Sequence, residues 1–332
     1  MRFAVALLTA TLLTGSLLAC SSGYGSPVEL RSSQILAKMR AGAGPNTATF
    51  GIYAVASGSV VNGYPFNDRS NGPPVCSVGS FNDLSRSDIA VDRNGDLLVA
   101  DGGANTITVF KGPGLCGPKL GTIADPFGKA FTDVTSRDGT TIVAGYYTIS
   151  PQLPGVAVCT LSGGCTRHLS LGLGSGYLFG VAVAPNGDCW ASAERYHPIN
   201  GFALVYFAGC QGKGVVATGF QRSTPGGIDI DANGNLVVID ASASPGLTVY
   251  SGCNPACTVV GGPFALKGCG TPFGHLDGSS NKFIVAEAPC RSPYAKLDVY
   301  SYSPSAVTYL YSITNGLTLP AAASAFSPNS KE

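Results

Sequence analysis

Alternating apolar and polar positions, broken by Asn-Gly pairs, recur along the middle of the chain. The clearest copy is Asp88-Ile-Ala-Val-Asp-Arg-Asn-Gly-Asp-Leu-Leu-Val-Ala-Asp101, which predicts a strand, a tight turn and a second strand. An Asn-Gly pair between alternating hydrophobics is a strong hairpin signal, with both turn residues expected at positive φ. The pattern returns at Gly180-Val-Ala-Val-Ala-Pro-Asn-Gly-Asp-Cys-Trp-Ala-Ser192 and at Gly227-Ile-Asp-Ile-Asp-Ala-Asn-Gly-Asn-Leu-Val-Val-Ile-Asp240. Weaker copies run from Thr132 to Gly139 and from Gly274 to Asn281. The turn positions Gly95, Gly139, Gly187, Gly234 and Asn281 are spaced by 44, 48, 47 and 47 residues.

Each copy continues into a third strand, Ile107-Thr-Val-Phe110, Leu204-Val-Tyr-Phe207, Leu247-Thr-Val-Tyr250 or Leu297-Asp-Val-Tyr300. A fourth follows, such as Val215-Val-Ala-Thr218 or Thr258-Val-Val-Gly261. Four strands in about 45 residues is the size of a propeller blade. The segment Ala323-Ser-Ala-Phe-Ser-Pro-Asn329 reads as a first strand and its turn. Gly51–Ala56, Val60–Tyr64 and Val75–Val78 read as strands two, three and four. The sequence therefore predicts an all-β domain over residues 48–332. It is a six-bladed β-propeller of four-stranded antiparallel blades, closed by a hybrid blade from both termini, which protects the last sheet edge.

The phrases Asp88–Phe110 and Gly227–Tyr250 resemble NHL repeats. NHL-like propellers include protein- and ligand-binding modules, and also enzymes of the gluconolactonase, peptide amidation lyase and streptogramin lyase types. A lyase of this kind implies three inward histidines around zinc, and a gluconolactonase implies inward Glu, Asn and Asp ligands. Neither set is matched. Of the three histidines, His168 falls in a fourth strand and His197 in a strand 2–3 loop, and the expected ligand columns hold Ile, Val and Gly. The resemblance implies a fold and leaves the activity open.

Composition narrows this further. Of 332 residues 45 are glycine, 22 proline and 12% charged, with 45% hydrophobic, which excludes a disordered chain. Twenty basic and nineteen acidic residues leave no footprint for nucleic acid. Met1-Arg2 followed by the apolar stretch Phe3–Leu18 predicts a signal peptide over 1–19. The run Leu17-Leu18-Ala19-Cys20 resembles the bacterial lipobox, which implies a lipid on Cys20, with 20–47 as a flexible tether. The expected location is the cell envelope, lipid-anchored at the outer membrane, facing the periplasm or the cell surface.

Ten further cysteines in an oxidising compartment predict disulfides. Cys159 and Cys165 flank one hairpin turn, and Cys253 and Cys257 another. Cys189 and Cys210 share one end of a blade, Cys269 and Cys290 share the opposite end, and Cys76 and Cys116 are left. These five pairings are a geometric expectation, since sequence alone does not fix connectivity. Aligning the repeats puts Ile89, Asp133, Val181, Ile228, His275 and Ser324 in one column near the start of strand one, with Asp88 and Thr132 just before it. Asp133 and His275 break this apolar column, and with Asp88 beside it they are the candidate catalytic or binding residues. Asp101, Glu194, Asp240 and Glu287 end the second strands and are further binding candidates, although Asp at such positions commonly caps a loop. Asp229, Asp231, Asn233 and Asp240 superficially match a calcium loop, and the strand-turn-strand pattern accounts for them better. Trp190 aligns with Leu98, Val237 and Ile284, a core position.

These readings describe a non-catalytic binding module without a cofactor, its partner an envelope protein or a small molecule at the channel mouth. The expected binding face carries the strand 2–3 and 4–1 loops, with Tyr146, Tyr147, Tyr196 and Tyr294. The alternatives are a metal-assisted lactonase or lyase using calcium or zinc, and a structural envelope protein.

Overall fold

The computed structural model describes residues 52–326, apart from 67–68, 85–86, 113–116, 126–129, 137, 149–150, 196–200, 221–223, 242–243, 269–272, 288–294 and 319. The signal peptide, Cys20 and the tether lie outside the described residues, as do Cys116, Tyr196, His197, Cys269, Cys290 and Tyr294. No helix among the described residues is long and apolar enough to cross a membrane.

The described chain is a β-propeller of four-stranded antiparallel blades. It begins with β1 (Ile52–Ser57), β2 (Val60–Pro65) and β3 (Cys76–Gly79). Repeat one holds β4 (Ile89–Val91), β5 (Leu97–Asp101), β6 (Thr106–Phe110) and β7 (Lys119–Ala124). Repeat two holds β8 (Ala130–Thr135), β9 (Thr141–Tyr147), β10 (Pro154–Thr160) and β11 (Gly164–Ser170). Repeat three holds β12 (Gly176–Val183), β13 (Cys189–Arg195), β14 (Gly201–Phe207) and β15 (Val215–Val216). Repeat four holds β16 (Pro225–Ile230), β17 (Leu236–Asp240), β18 (Gly246–Ser251) and β19 (Thr258–Ala265). Repeat five holds β20 (Gly274–Leu276), β21 (Lys282–Glu287), β22 (Lys296–Ser303) and β23 (Ala306–Ile313), and the last strand is β24 (Pro320–Phe326).

Each repeat forms its own sheet with strands in sequence order. β24 joins β1, β2 and β3 in a further antiparallel sheet of order β24-β1-β2-β3, mixed only in that its strands come from distant parts of the chain. Ala54 pairs with Ser324 across that junction. Apolar residues on both faces of each sheet meet those of its neighbours. One buried cluster joins repeats one and two through Leu98, Ile107, Phe131 and Ile142. Others join repeats two and three, three and four, and four and five. Tyr64, Ile284, Val299 and Ala323 join repeat five to the mixed sheet, and Val61, Ile89, Val99 and Ala322 join the mixed sheet to repeat one. Trp190 is in the core as expected, its Nε1 donating to the Cys253 carbonyl at 2.7 Å. Outer strands expose apolar side chains, Leu120, Val215, Val216, Val259 and Val260 among them.

The hairpin turns differ from the expectation in one respect. Gly95, Gly187 and Gly234 adopt positive φ (81°, 87° and 79°), whereas the asparagines before them do not. The Asp92 carbonyl accepts the Gly95 N–H at 2.9 Å, and its N–H donates to the Asp96 carbonyl at 2.9 Å. This is a type I turn followed by one left-handed glycine, which needs a single positive φ. Asp92 Oδ1 holds the turn by accepting the N–H groups of Asn94 and Asp96, at 2.8 and 2.9 Å. Asp231 and Asp277 do the same in repeats four and five. Asp231 thus serves the turn, and its second oxygen accepts from Asn235 and Tyr302, so the calcium-loop resemblance reflects hairpin chemistry.

In repeat five the left-handed position is Ser280 (φ 53°) and not Asn281. Six residues separate the paired Leu276 and Phe283, against five between Ile230 and Leu236. The extra residue moves the register by one. His275 therefore lies level with Asp229, two positions before the turn aspartate, and not with Asp133.

Three of the expected disulfides form: Cys159–Cys165, Cys189–Cys210 and Cys253–Cys257. Cys76 is also disulfide-bonded. Crosslinks of this kind fit an oxidising compartment.

Candidate functional site

Strand starts from different repeats bring Asp88, Asp133 and His275 together. One potential ligand atom from each lies within 4.8 Å of the others, and all three residues are buried. His275 Nε2 is 2.8 Å from Asp88 Oδ2, and its Nδ1 is 3.4 Å from Asp229 Oδ2. The imidazole is thus held between carboxylates at both nitrogens. Asp229, named from the sequence only within a calcium-loop resemblance, is the residue that sequence reasoning did not assign to this site. Its signal was the second acid in Asp229-Ile230-Asp231, one more than the turn requires.

Every carboxylate of the group also serves the backbone. Asp88 Oδ1 accepts the Ile89 N–H at 2.8 Å, and Asp229 Oδ1 accepts that of Ile230 at 2.7 Å. Asp133 Oδ1 accepts from Val134 at 2.6 Å, and its Oδ2 accepts from Val181 of repeat three. Asp229 Oδ2 reaches the Leu276 N–H of repeat five at 2.9 Å, and Ser324 Oγ takes the Val91 N–H of repeat one at 3.0 Å. Inner-strand side chains therefore tie neighbouring sheets in pairs.

Burial, the charge of Asp88 and a hydrogen bond to it push the Asp133 carboxyl well above the usual range. Two adjacent carboxyls away from water hold a proton rather than both ionise. Burial works against a charged His275, but the charge of Asp88 and hydrogen bonds to Asp229 and Asp88 outweigh it, so its pKa is well above the ordinary value. An imidazolium with both N–H groups engaged is neither a general base nor a metal ligand.

A cavity of about 460 Å³ opens from this cluster toward the strand 1–2 turns. Its wall takes residues from the inner strand or adjoining turn of every sheet: Ala90, Thr135, Val183, Asp229, His275 and Ser324. It lies opposite the strand 2–3 and 4–1 loops of the expected face, many of whose residues are outside the described ones. The turn aspartates are spent on short turns that leave the channel open. On the expected face, Tyr146 is buried against His168 and Tyr147 packs edge-on to Tyr177.

Asp101, Glu194, Asp240 and Glu287 do not line this cavity. Asp101 caps a loop, its carboxylate accepting the N–H groups of Asn82, Asp83, Gly103 and Ala104 at 2.8–3.1 Å. Glu287 pairs with Lys296 at 2.8 Å, and Lys296 pairs with the buried Asp298 at 2.6 Å. Burial, with Asp298 opposing Lys296, raises Glu287 to about 7. His168 is remote, on β11, 3.9 Å from Asp125.

No protein-family model and no curated protein matches the sequence. Solved structures share the fold. A protein of unknown function from Bacteroides caccae is 10% identical, with a TM-score of 0.54 over 83% of this chain and 98% of that one. A candidate 6-phosphogluconolactonase from Bacteroides fragilis is 12% identical, with a TM-score of 0.53 over 86% of this chain and 100% of that one. A chain of a nidogen/laminin complex is 13% identical, with a TM-score of 0.54 over 83% and 98%. At these identities the likeness is one of fold, a β-propeller.

Proposed function

We propose that this chain is an exported, lipid-anchored, six-bladed β-propeller of the NHL-like kind that binds a ligand or partner without catalysis. Among the described residues, six four-stranded sheets joined pairwise by six apolar clusters support the blade count. One observation carries the non-catalytic reading. His275 is clamped between Asp88 and Asp229, and every carboxylate around it already accepts backbone N–H groups. The binding surface is the turn-side cavity above that clamp.

Metal analysis and turnover assays test this. The purified chain is expected to carry no stoichiometric metal, to show no thermal shift with calcium, zinc or EDTA, and to hydrolyse no lactone. Stoichiometric metal lost in both Asp133→Ala and His275→Ala overturns the reading. The anchor has its own test: Cys20→Ser is expected to release the protein from membranes, and unchanged partition overturns it.

The three ligand atoms within 4.8 Å favour a second reading, a metal-assisted lactonase or lyase. It requires His275 to leave Asp88 and the shared carboxyl proton to depart, because metal ligands must be deprotonated.

A further inference from the structure

The turn-side cavity is lined by acids and bases together. Asp92 and Asp138 come from adjacent turns, close enough that a Cβ on Gly139 would lie 3.2 Å from Asp92 Oδ2. Ser136 stands in the same wall. It is 7% exposed, and its Oγ has no hydrogen-bond partner. A buried hydroxyl left unpaired costs about 1–3 kcal/mol, so such a group marks a place for a ligand atom. Arg93 and Arg167 line the cavity too, exposed and with no ion-pair partner among the described residues.

We propose that this cavity binds a small zwitterion of the amino-acid or dipeptide class. Its ammonium sits among Asp92, Asp138 and Ser136, and its carboxylate meets Arg93 and Arg167. An ammonium has three donors and no acceptor, and these three side chains offer three acceptors. A guanidinium fork matches a carboxylate with two parallel bonds. The volume of about 460 Å³ falls within the range of small-molecule sites. Neither a simple anion nor a simple cation suits a wall that carries both charges. Among the described residues no Phe, Tyr or Trp lines the cavity, so they offer no face on which a sugar ring stacks. A calcium ion wants six to eight oxygens. Asp92 Oδ1 and Asp138 Oδ1 each already accept two N–H groups, and Asp138 Oδ2 accepts the Thr141 hydroxyl. That leaves an acceptor site on each Oδ2 for an ammonium and too few oxygens for calcium. Burial first, and then repulsion from Asp96 and Asp138, raises Asp92 to about 6, as suits a carboxyl that lacks its counter-charge.

This inference rests on the binding-module reading, and titration calorimetry on the full chain tests it. The probes are the twenty amino acids, alanyl-alanine, its N-acetyl and C-terminal amide derivatives, and calcium chloride. At least one zwitterion is expected to bind, and acetylating or amidating it to weaken binding at least about tenfold. Ser136→Ala is expected to weaken it by about fivefold, and Arg167→Gln by about tenfold, with the melting temperature unchanged. Silence from every zwitterion, equal binding of the acetylated form, or binding of calcium alone overturns the proposal. Silence with turnover and metal also absent removes only this inference, whereas metal-dependent turnover removes the binding-module reading itself.

Discussion

His275 Nε2 meets Asp88 Oδ2 at 2.8 Å although 187 residues separate them in the chain. The contact joins repeat five to repeat one, and Asp229 of repeat four holds the other ring nitrogen. Removing the imidazole strands the buried Asp88 carboxylate and the half-buried Asp229 carboxylate. His275→Ala is expected to cost about 3–5 kcal/mol in chemical denaturation, the range for breaking a buried pair from one side. A cost under about 1 kcal/mol would show that the clamp contributes little.

The same group sets a pH dependence. The folded state raises the His275 pKa above the 6.5 of the unfolded chain, so its stabilisation is complete below pH 6.5 and is lost as pH rises through the folded value. Asp133, also raised, acts in the same direction, because the folded state holds its proton more tightly. Melting temperature is expected to fall from pH 6.5 upward, and to fall less steeply in His275→Gln.

Asp92 makes a contrasting case. Its carboxyl is raised from 3.8 to about 6, so ionising it costs the folded state above pH 6, and that cost vanishes as pH falls toward 4. Asparagine keeps the oxygen that accepts the turn N–H groups. Asp92→Asn is expected to stabilise by up to about 2 kcal/mol at pH 8 and to be neutral at pH 4, measured by thermal melts at both.

Asp101 is expected to matter to the fold and not to the ligand. Asp101→Ala frees four backbone N–H groups and should cost about 2–4 kcal/mol. Ligand affinity at the turn-side cavity should stay the same in calorimetry.

Removing Cys189–Cys210, which closes a 21-residue separation, is expected to cost about 3 kcal/mol. Removing Cys253–Cys257, across four residues, should cost less because a shorter loop constrains the unfolded chain less. Paired Cys→Ser variants in urea measure both.

The repeats were legible because each hairpin states its strands and its turn locally. The pairing of β24 with β1 was legible from half-repeats at both ends. The site was legible in its membership and less so in its register. Asp133 and His275 stand out from an apolar column with Asp88 beside it, but one additional turn residue shifted His275 and hid its partner Asp229. The cavity on the strand 1–2 side was not legible for another reason. Cavities are set by how far each turn folds inward, and residue type alone does not report that. Asp101 was legible as a loop cap from its place at a strand end, but the N–H groups it accepts lie on a loop whose path only the tertiary fold defines.

The mixed sheet has a consequence for how the protein is made. Strand β1 finds its inner neighbour only when residues 320–326 are available, with Ser57 and Thr318 bonded across 261 positions. Contacts at such separations form late, because loop-closure entropy must be overcome first. A ribosome stalled before β24 therefore leaves β1 with an open edge, the feature by which strands recruit one another and aggregate. The C-terminal strand acts as a latch, and proteases that remove unfinished chains have an exposed strand edge to act on until it closes.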